Sequence, residues 1–190
     1  MSRSGLQYPV EIEGKYRVDR VDEFLDRLQR LGPIEKTTEE HEDHYLRHPC
    51  RDFRITDEAL RMRRVNRQWH VTYKGPRSEG ALKIRPEIEF PLADGTQDDL
   101  QRVWGALGFE PVAVVRKTRR VFGMEGFHPG MHVTLDQVES LGSFAELECV
   151  VRDEVALREA EQAIEHLAIA LQLGFVEKRS YLSMLLELRR

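Results

Sequence analysis

A chain of 190 residues and 22.2 kDa is long enough to bury a core and fits one domain. Its 33 acidic and 29 basic residues leave a net charge of −4 and a pI near 6.0, so no overall basic field draws it to nucleic acid. The two cysteines, Cys50 and Cys149, exclude a disulfide framework, no apolar run approaches the roughly 18 residues of a membrane span, and Met1 to Pro9 has no stretch that would serve as a signal peptide, so a cytoplasmic protein is expected.

The first predicted strand is Glu11-Ile12-Glu13-Gly14-Lys15. Side chains of a strand alternate sides, so Glu11, Glu13 and Lys15 share one face within about 14 Å, at roughly 3.3 Å per residue. Two carboxylates so placed suit a hard divalent cation such as Mg2+ or Mn2+, which takes one or two carboxylates plus water and phosphate oxygens. The competing reading is an exposed strand whose polar face meets only water.

Asp19 is placed to cap a first helix with Val21, Phe24, Leu25, Leu28 and Leu31 on one face, ended by Gly32-Pro33. Strands are predicted at Asp43–Leu46, Ala59–Asn66, Trp69–Gly75 and Ala81–Leu92, with turns at Asn66-Arg67-Gln68, Gly75-Pro76 and Ser78-Glu79-Gly80. A second helix is predicted over Thr96–Leu107, with Leu100, Val103, Trp104 and Leu107 as its buried stripe and Gly108 closing it. Strands resume at Val112–Phe122, Met131–Val138 and Ser143–Val151. Asp153 then opens a long helix through Leu173, with Ala160, Ile164, Leu167 and Leu171 inward, and a short one runs from Ser180 to Leu188. No internal repeat or linker interrupts residues 1–190, which predicts a single domain.

The polar faces of these strands repeat the opening pattern. Arg61 and Arg63 share a face, as do Thr72 and Lys74, Arg85 with Glu87 and Glu89, Lys117 with Arg119, and Glu146 with Glu148, while Asp136 ends an alternating strand. One face therefore collects seven acids (Glu11, Glu13, Glu87, Glu89, Asp136, Glu146, Glu148) and seven bases (Lys15, Arg61, Arg63, Lys74, Arg85, Lys117, Arg119). A sheet curled with these faces inward becomes a polar tunnel with an apolar exterior on which helices pack, and its closure removes exposed edges. Arginines and lysines hold polyphosphate through charge-assisted hydrogen bonds, and carboxylates hold the metal that neutralises it. Neither set survives burial without the other, because an unpaired buried charge costs several kcal/mol.

In this order and spacing, Glu11-x-Glu13-x-Lys15, Arg61-x-Arg63, Thr72-Tyr73-Lys74-Gly75-Pro76, Arg85-x-Glu87-x-Glu89, Lys117-x-Arg119, Leu135-Asp136, Val138-Glu139-x-Leu141-Gly142 and Glu146-x-Glu148 resemble the CYTH proteins, also called triphosphate tunnel metalloenzymes. Asp43-x-Tyr45-Leu46 and Lys178-x-Ser180-Tyr181-Leu182 look most like the class IV adenylyl cyclase group. The resemblance implies an α+β fold in which a closed eight-stranded antiparallel barrel carries helices on its outside. It implies an enzyme acting on ATP, thiamine triphosphate or tripolyphosphate, with Mg2+ or Mn2+. Two chemistries follow from it: cyclisation of ATP to cyclic AMP with loss of pyrophosphate, or hydrolysis with release of orthophosphate. Glu11, Glu13 and Lys15 would form the catalytic strand. Glu11, Glu13 and Glu148, with Glu146 and Asp136, would bind the metal, and Glu87 and Glu89 would serve a second metal or positioning. Arg61, Arg63, Lys74, Arg85, Lys117, Arg119 and Lys178 would hold phosphate oxygens. Lys15 would orient water in a hydrolase and serve the phosphates in a cyclase.

The partner is then a small triphosphate, with no role for nucleic acid or membrane, and a homodimer is compatible with the pattern. A non-catalytic module binding polyphosphate or nucleotide is the reading of another class. His41, His44, His48 and Cys50 lie close in sequence but match no standard zinc spacing. Glu39-Glu40-His41-Glu42-Asp43 reads as a solvated face. The segment Arg47–Asp57 has no feature that ties it to adenine.

Overall fold

The computed structural model describes residues 5–77 and 83–189. The strands are β1 (Gly5–Arg17), β2 (Ile34–Arg47), β3 (Ala59–Val65), β4 (Gln68–Lys74), β5 (Lys83–Pro91), β6 (Glu110–Gly123), β7 (His132–Val138) and β8 (Gly142–Asp153), and the helices are α1 (Val21–Arg30), α2 (Gln97–Ala106), α3 (Glu154–Ala170) and α4 (Tyr181–Leu188). Among the described residues the eight strands close into an antiparallel barrel in the order β1-β5-β4-β3-β2-β6-β7-β8, as expected. The expected turn at Ser78-Glu79-Gly80 and the first two residues of the expected strand Ala81–Leu92 lie outside the described residues.

Alternation sorts the buried apolar residues of the strands into two cores. Outward-facing Val10, Ile12 and Tyr16 of β1, Val133 and Leu135 of β7, and Leu147 and Cys149 of β8 pack under Phe24 and Leu28 of α1 and Ala160, Ile164, Leu167 and Leu171 of α3. The helical residues sit three or four apart, so each helix presents a single apolar stripe to the barrel. Asp153 caps α3 by accepting from the backbone N–H groups of Val155 at 3.1 Å and Ala156 at 2.9 Å. Helix α1 has no such cap: Asp19 accepts from Arg17 instead, and Arg20 occupies the capping position without a side-chain capping bond.

The second core lies inside the barrel, at one end. Tyr45, Val115, Val138 and Phe144 have the strand parity of Asp43, Lys117, Asp136 and Glu146, two residues away in each case, and they pack on Tyr181, Met184 and Leu185 of α4. Helix α4 therefore closes one end of the barrel, whereas α1 and α3 lie on its outside.

Two further sequence expectations change. Strand β2 has 14 residues where only Asp43–Leu46 was expected, and Glu39–Asp43 is not a solvated face: His41 and Asp43 are buried. Its ladder with β6 runs from Ile34↔Gly123 to Arg47↔Glu110. The stripe of α2 is not buried either, with Val103 53% and Leu107 62% exposed. Amphipathic spacing describes a helix surface and not the presence of a partner for it. Trp104 tilts against Phe109, 6.3 Å between ring centroids. The barrel exterior is likewise bare on β5, where Ile88 and Phe90 are 44% and 49% exposed.

Candidate active site

The barrel encloses a cavity of about 1120 Å3. Strand β1 contributes Glu11, Glu13 and Lys15 to its wall, β3 Arg61 and Arg63, β4 Lys74, β5 Arg85, Glu87 and Glu89, β6 Lys117 and Arg119, and β8 Glu146 and Glu148, while Lys178 precedes α4 at the rim. Every expected site residue except Asp136 lines this one space. The shared parity read from the sequence is realised as a shared interior.

The lining is organised as ion pairs set by cross-strand register. Asp43 of β2 faces Arg63 of β3, and its carboxylate accepts from Arg63 Nε at 2.7 Å and Nη2 at 2.9 Å and from Arg61 Nη1 at 3.2 Å. Burial opposes ionisation of Asp43, yet Arg61 and Arg63 hold its carboxyl far below the usual range. Arg61 also donates to Tyr45 Oη at 3.3 Å. One buried carboxylate thus aims both guanidiniums of the Arg-x-Arg strand, a role the sequence did not assign to Asp43.

Asp136 does the same for β6. It lies opposite Arg119, fully buried, and accepts from Arg119 Nε at 2.7 Å, Lys117 Nζ at 2.8 Å and Tyr181 Oη at 2.9 Å. Both oxygens of Asp136 accept from these side chains, and alone among the expected site residues it does not line the cavity. Arg119 reaches on to Glu146 and lies 3.8 Å from Glu148. Burial lowers the Lys117 ammonium, with Arg119 adding to the effect. The Tyr181 hydroxyl is pushed well up by burial and then by Glu146 and Asp136, so it stays a donor.

On the opposite wall Lys74 pairs with Glu11 and, at 2.9 Å, with Glu87, and Thr72 donates to Glu89 at 2.6 Å. Arg85, expected on phosphate, donates instead to backbone carbonyls: Gly75 at 2.7 Å, Asp57 at 2.8 Å and Lys74 at 3.4 Å.

Acidic charge is most crowded between β1 and β8, where Glu13 pairs with Glu148 and Lys15 with Glu146 in register. Burial pushes the Glu148 carboxyl up to about 7, against Arg119 and with Glu11, Glu146 and Glu13 adding to the rise. Glu11 is also raised, by burial first and then by Glu87 against the pull of Lys74. Buried oxygen donors whose ionisation is resisted by one another fit a hard divalent cation, which relieves that repulsion. Among the described residues no three His, Cys, Asp or Glu side chains already stand as a metal cage. Mg2+ and Mn2+ do not need one, since water and phosphate oxygens complete their shells.

The zinc alternative disperses. His41 lies inside the barrel, bonded to Glu39 at 2.7 Å; His44 points outward against Trp69, 5.3 Å between centroids; His48 stacks near Phe53 and Phe109. Among the described residues no helix is long and apolar enough to cross a membrane.

Comparison with known proteins agrees with this geometry. The profile of the CYTH domain matches residues 10–181. A Methanocaldococcus jannaschii protein that carries the provisional name adenylate cyclase is 32% identical over 180 residues, covering 92% of this chain and 98% of its own. Adenylate cyclase CyaB of Aeromonas hydrophila is 29% identical over 188 residues, 95% of this chain and 91% of its own. The solved structure of a Pyrococcus horikoshii protein superposes with a TM-score of 0.82 at 38% identity, covering 96% of this chain and all of that one.

Proposed function

The chain belongs to the CYTH domain family, and on that premise we propose that it is a divalent-metal-dependent adenylyl cyclase, converting ATP to cyclic AMP and pyrophosphate in its barrel. The observation that carries the reading is the sorting of its lining: paired carboxylates on β1 and β8 face arginines and lysines of β3, β4 and β6 across one cavity. The names of its Methanocaldococcus and Aeromonas relatives support cyclisation as the chemistry.

Before substrate arrives, acids and bases neutralise one another. A triphosphate with its cation can exchange partners with these pairs, phosphate oxygens taking the arginines and lysines and the cation taking the carboxylates, so its entry avoids stranding a buried ion. Glu11, Glu13, Glu146 and Glu148 would hold the cation, with Glu87 and Glu89 on β5, the other neighbour of β1. Bound there, Mg2+ or Mn2+ neutralises phosphate oxygens and fixes their orientation. Arg61 and Arg63, aimed by Asp43, and Lys117 and Arg119, aimed by Asp136, would grip the phosphate chain. In cyclisation the ribose 3'-oxygen bonds to the alpha phosphorus and gives up its proton to solvent, as the bond from that phosphorus to the oxygen bridging to the beta phosphate breaks and pyrophosphate leaves. The cations then stabilise the negative charge collecting on pyrophosphate, which is where phosphoryl transfer most needs the protein.

The test is incubation with ATP, thiamine triphosphate and tripolyphosphate in Mg2+ and in Mn2+, with products separated by chromatography. Cyclic AMP with pyrophosphate is the expected result. Orthophosphate from tripolyphosphate without any cyclic nucleotide would make the protein a triphosphate hydrolase, and binding without turnover would make it a binding module.

A further inference from the structure

The loop joining β2 to β3 ends at Asp57, which has a left-handed backbone with φ 54°. Its carboxylate accepts a fork from Arg77, Nε to Oδ2 and Nη2 to Oδ1 at 2.6 Å each, and the backbone N–H of Arg77 at 3.1 Å. Its carbonyl accepts from Arg85. The remaining arm of Arg77, Nη1, donates to the carbonyl of Lys178 at 2.7 Å. One residue further back, the N–H of Glu177 donates to the carbonyl of Lys15 at 2.7 Å, and Val176 bridges Tyr16. The segment 176–180 is thus a strap anchored at one side to β1 and at the other to Asp57 through Arg77. The side chain of Lys178 lines the cavity from that strap, and is itself exposed.

We propose that Asp57 and Arg77 are positioning residues for substrate binding: together they pin the strap so that the Lys178 ammonium is held at the rim for the outermost phosphate. The inference rests on the triphosphate reading above. An exposed lysine on a free strap would lose rotational and backbone freedom on gripping phosphate, whereas a pinned strap has lost much of it beforehand. Through the strap the pin acts on the rim lysine, so it sets affinity and not the chemical step.

The sign of the effect separates positioning from simple electrostatics. Asp57 is an anion at the edge of an anion site, and removing its charge alone would tighten triphosphate binding. Loss of the pin weakens it. Asn tolerates a left-handed backbone, which makes Asp57→Asn the suitable variant.

The probe is tripolyphosphate with both bridging oxygens replaced by methylene, which neither chemistry consumes, titrated calorimetrically in Mg2+. Asp57→Asn is expected to weaken binding about tenfold, and to have no further effect in a Lys178→Ala background. Steady-state assays should show a raised KM with kcat unchanged. Wild-type binding with Asp57→Asn unchanged, tightened or fully additive with Lys178→Ala overturns the pin alone. A wild-type protein that binds no analogue overturns the triphosphate reading and the pin with it.

Discussion

The ammonium of Lys15 stands 4.2 Å from the centroid of the Tyr181 ring, so the first residue of the closing helix supports the charged end of the first strand. The same ring lies 5.1 Å from the Lys117 ammonium while its hydroxyl holds Asp136. Tyr181 thus touches cations on two strands and the carboxylate behind them.

Tyr181→Phe removes only the hydrogen bond to a buried anion, and a loss of about 1.5–3 kcal/mol in stability is expected. Tyr181→Leu removes the aromatic face as well, releasing Lys15, and should lower turnover further than Tyr181→Phe does. Denaturant unfolding and steady-state kinetics on both variants check this. Equal turnover in the two would detach Lys15 from the ring.

Asp136→Asn and Glu148→Gln should part in opposite directions. Removing the charge of Asp136 leaves buried Lys117 and Arg119 short of an anion, a loss on the order of 3–5 kcal/mol. Glu148→Gln removes a carboxylate crowded by Glu11, Glu13 and Glu146, so metal-free stability should hold or rise while activity disappears. Thermal unfolding in EDTA, paired with turnover in Mg2+, decides it. Full activity of Glu148→Gln at saturating substrate would remove Glu148 from the metal site.

Parity alone made most of the site legible. A period of two puts Glu11, Glu13 and Lys15 on one side whatever they pack against, and the same holds for Arg61 with Arg63 and for Glu87 with Glu89. Glu39–Asp43 hid a strand because both its faces are charged: Glu39, His41 and Asp43 turn inward, while Glu40 and Glu42 meet Thr118, Arg64 and Arg116 outside. No apolar alternation marks such a strand. Whether an inward-facing carboxylate is open to the cavity or committed is a matter of register between distant strands. Asp136 is committed because it falls opposite Arg119, and that pairing is written in no local pattern.

Two buried groups give metal-free stability opposing pH slopes. His41 is pushed down to about 3 by burial, with Arg63 and Lys117 assisting. The unfolded chain binds its proton from about pH 6.5 downward and the fold does not, so stability falls as pH drops through that window, by about 1.4 kcal/mol per pH unit at most. Glu148, raised to about 7, acts in reverse: stability is present below about pH 4.5 and is lost as pH rises towards 7. Unfolding measured at about pH 5 and 6.5 in EDTA should show His41→Asn relatively more stable at the lower pH than wild type, and Glu148→Gln relatively less. The same sign of change in both variants would contradict the assignment.

Lys15→Ala separates the two chemistries. If the nucleophile is the 3'-hydroxyl carried by ATP, Lys15 acts only on charge, and cyclic AMP formation should fall without a change of product. If water must be oriented, orthophosphate release should drop by on the order of 10²-fold or more. Product chromatography of wild type and variant side by side gives the answer.

Closure of the barrel also dictates when the chain can fold. β1 is made first, yet its neighbours are β5 and β8, and Glu13 finds Glu148 only after nearly the whole barrel sequence exists. Such long-range pairing carries a large loop-closure cost and leaves the β8 border of β1 without its partner until the last strand is made. The charges of Glu11, Glu13 and Lys15, destined for the interior, meanwhile sit on that waiting strand and disfavour its pairing with another copy. The residues proposed to meet the substrate would thus also guard the nascent chain against aggregation.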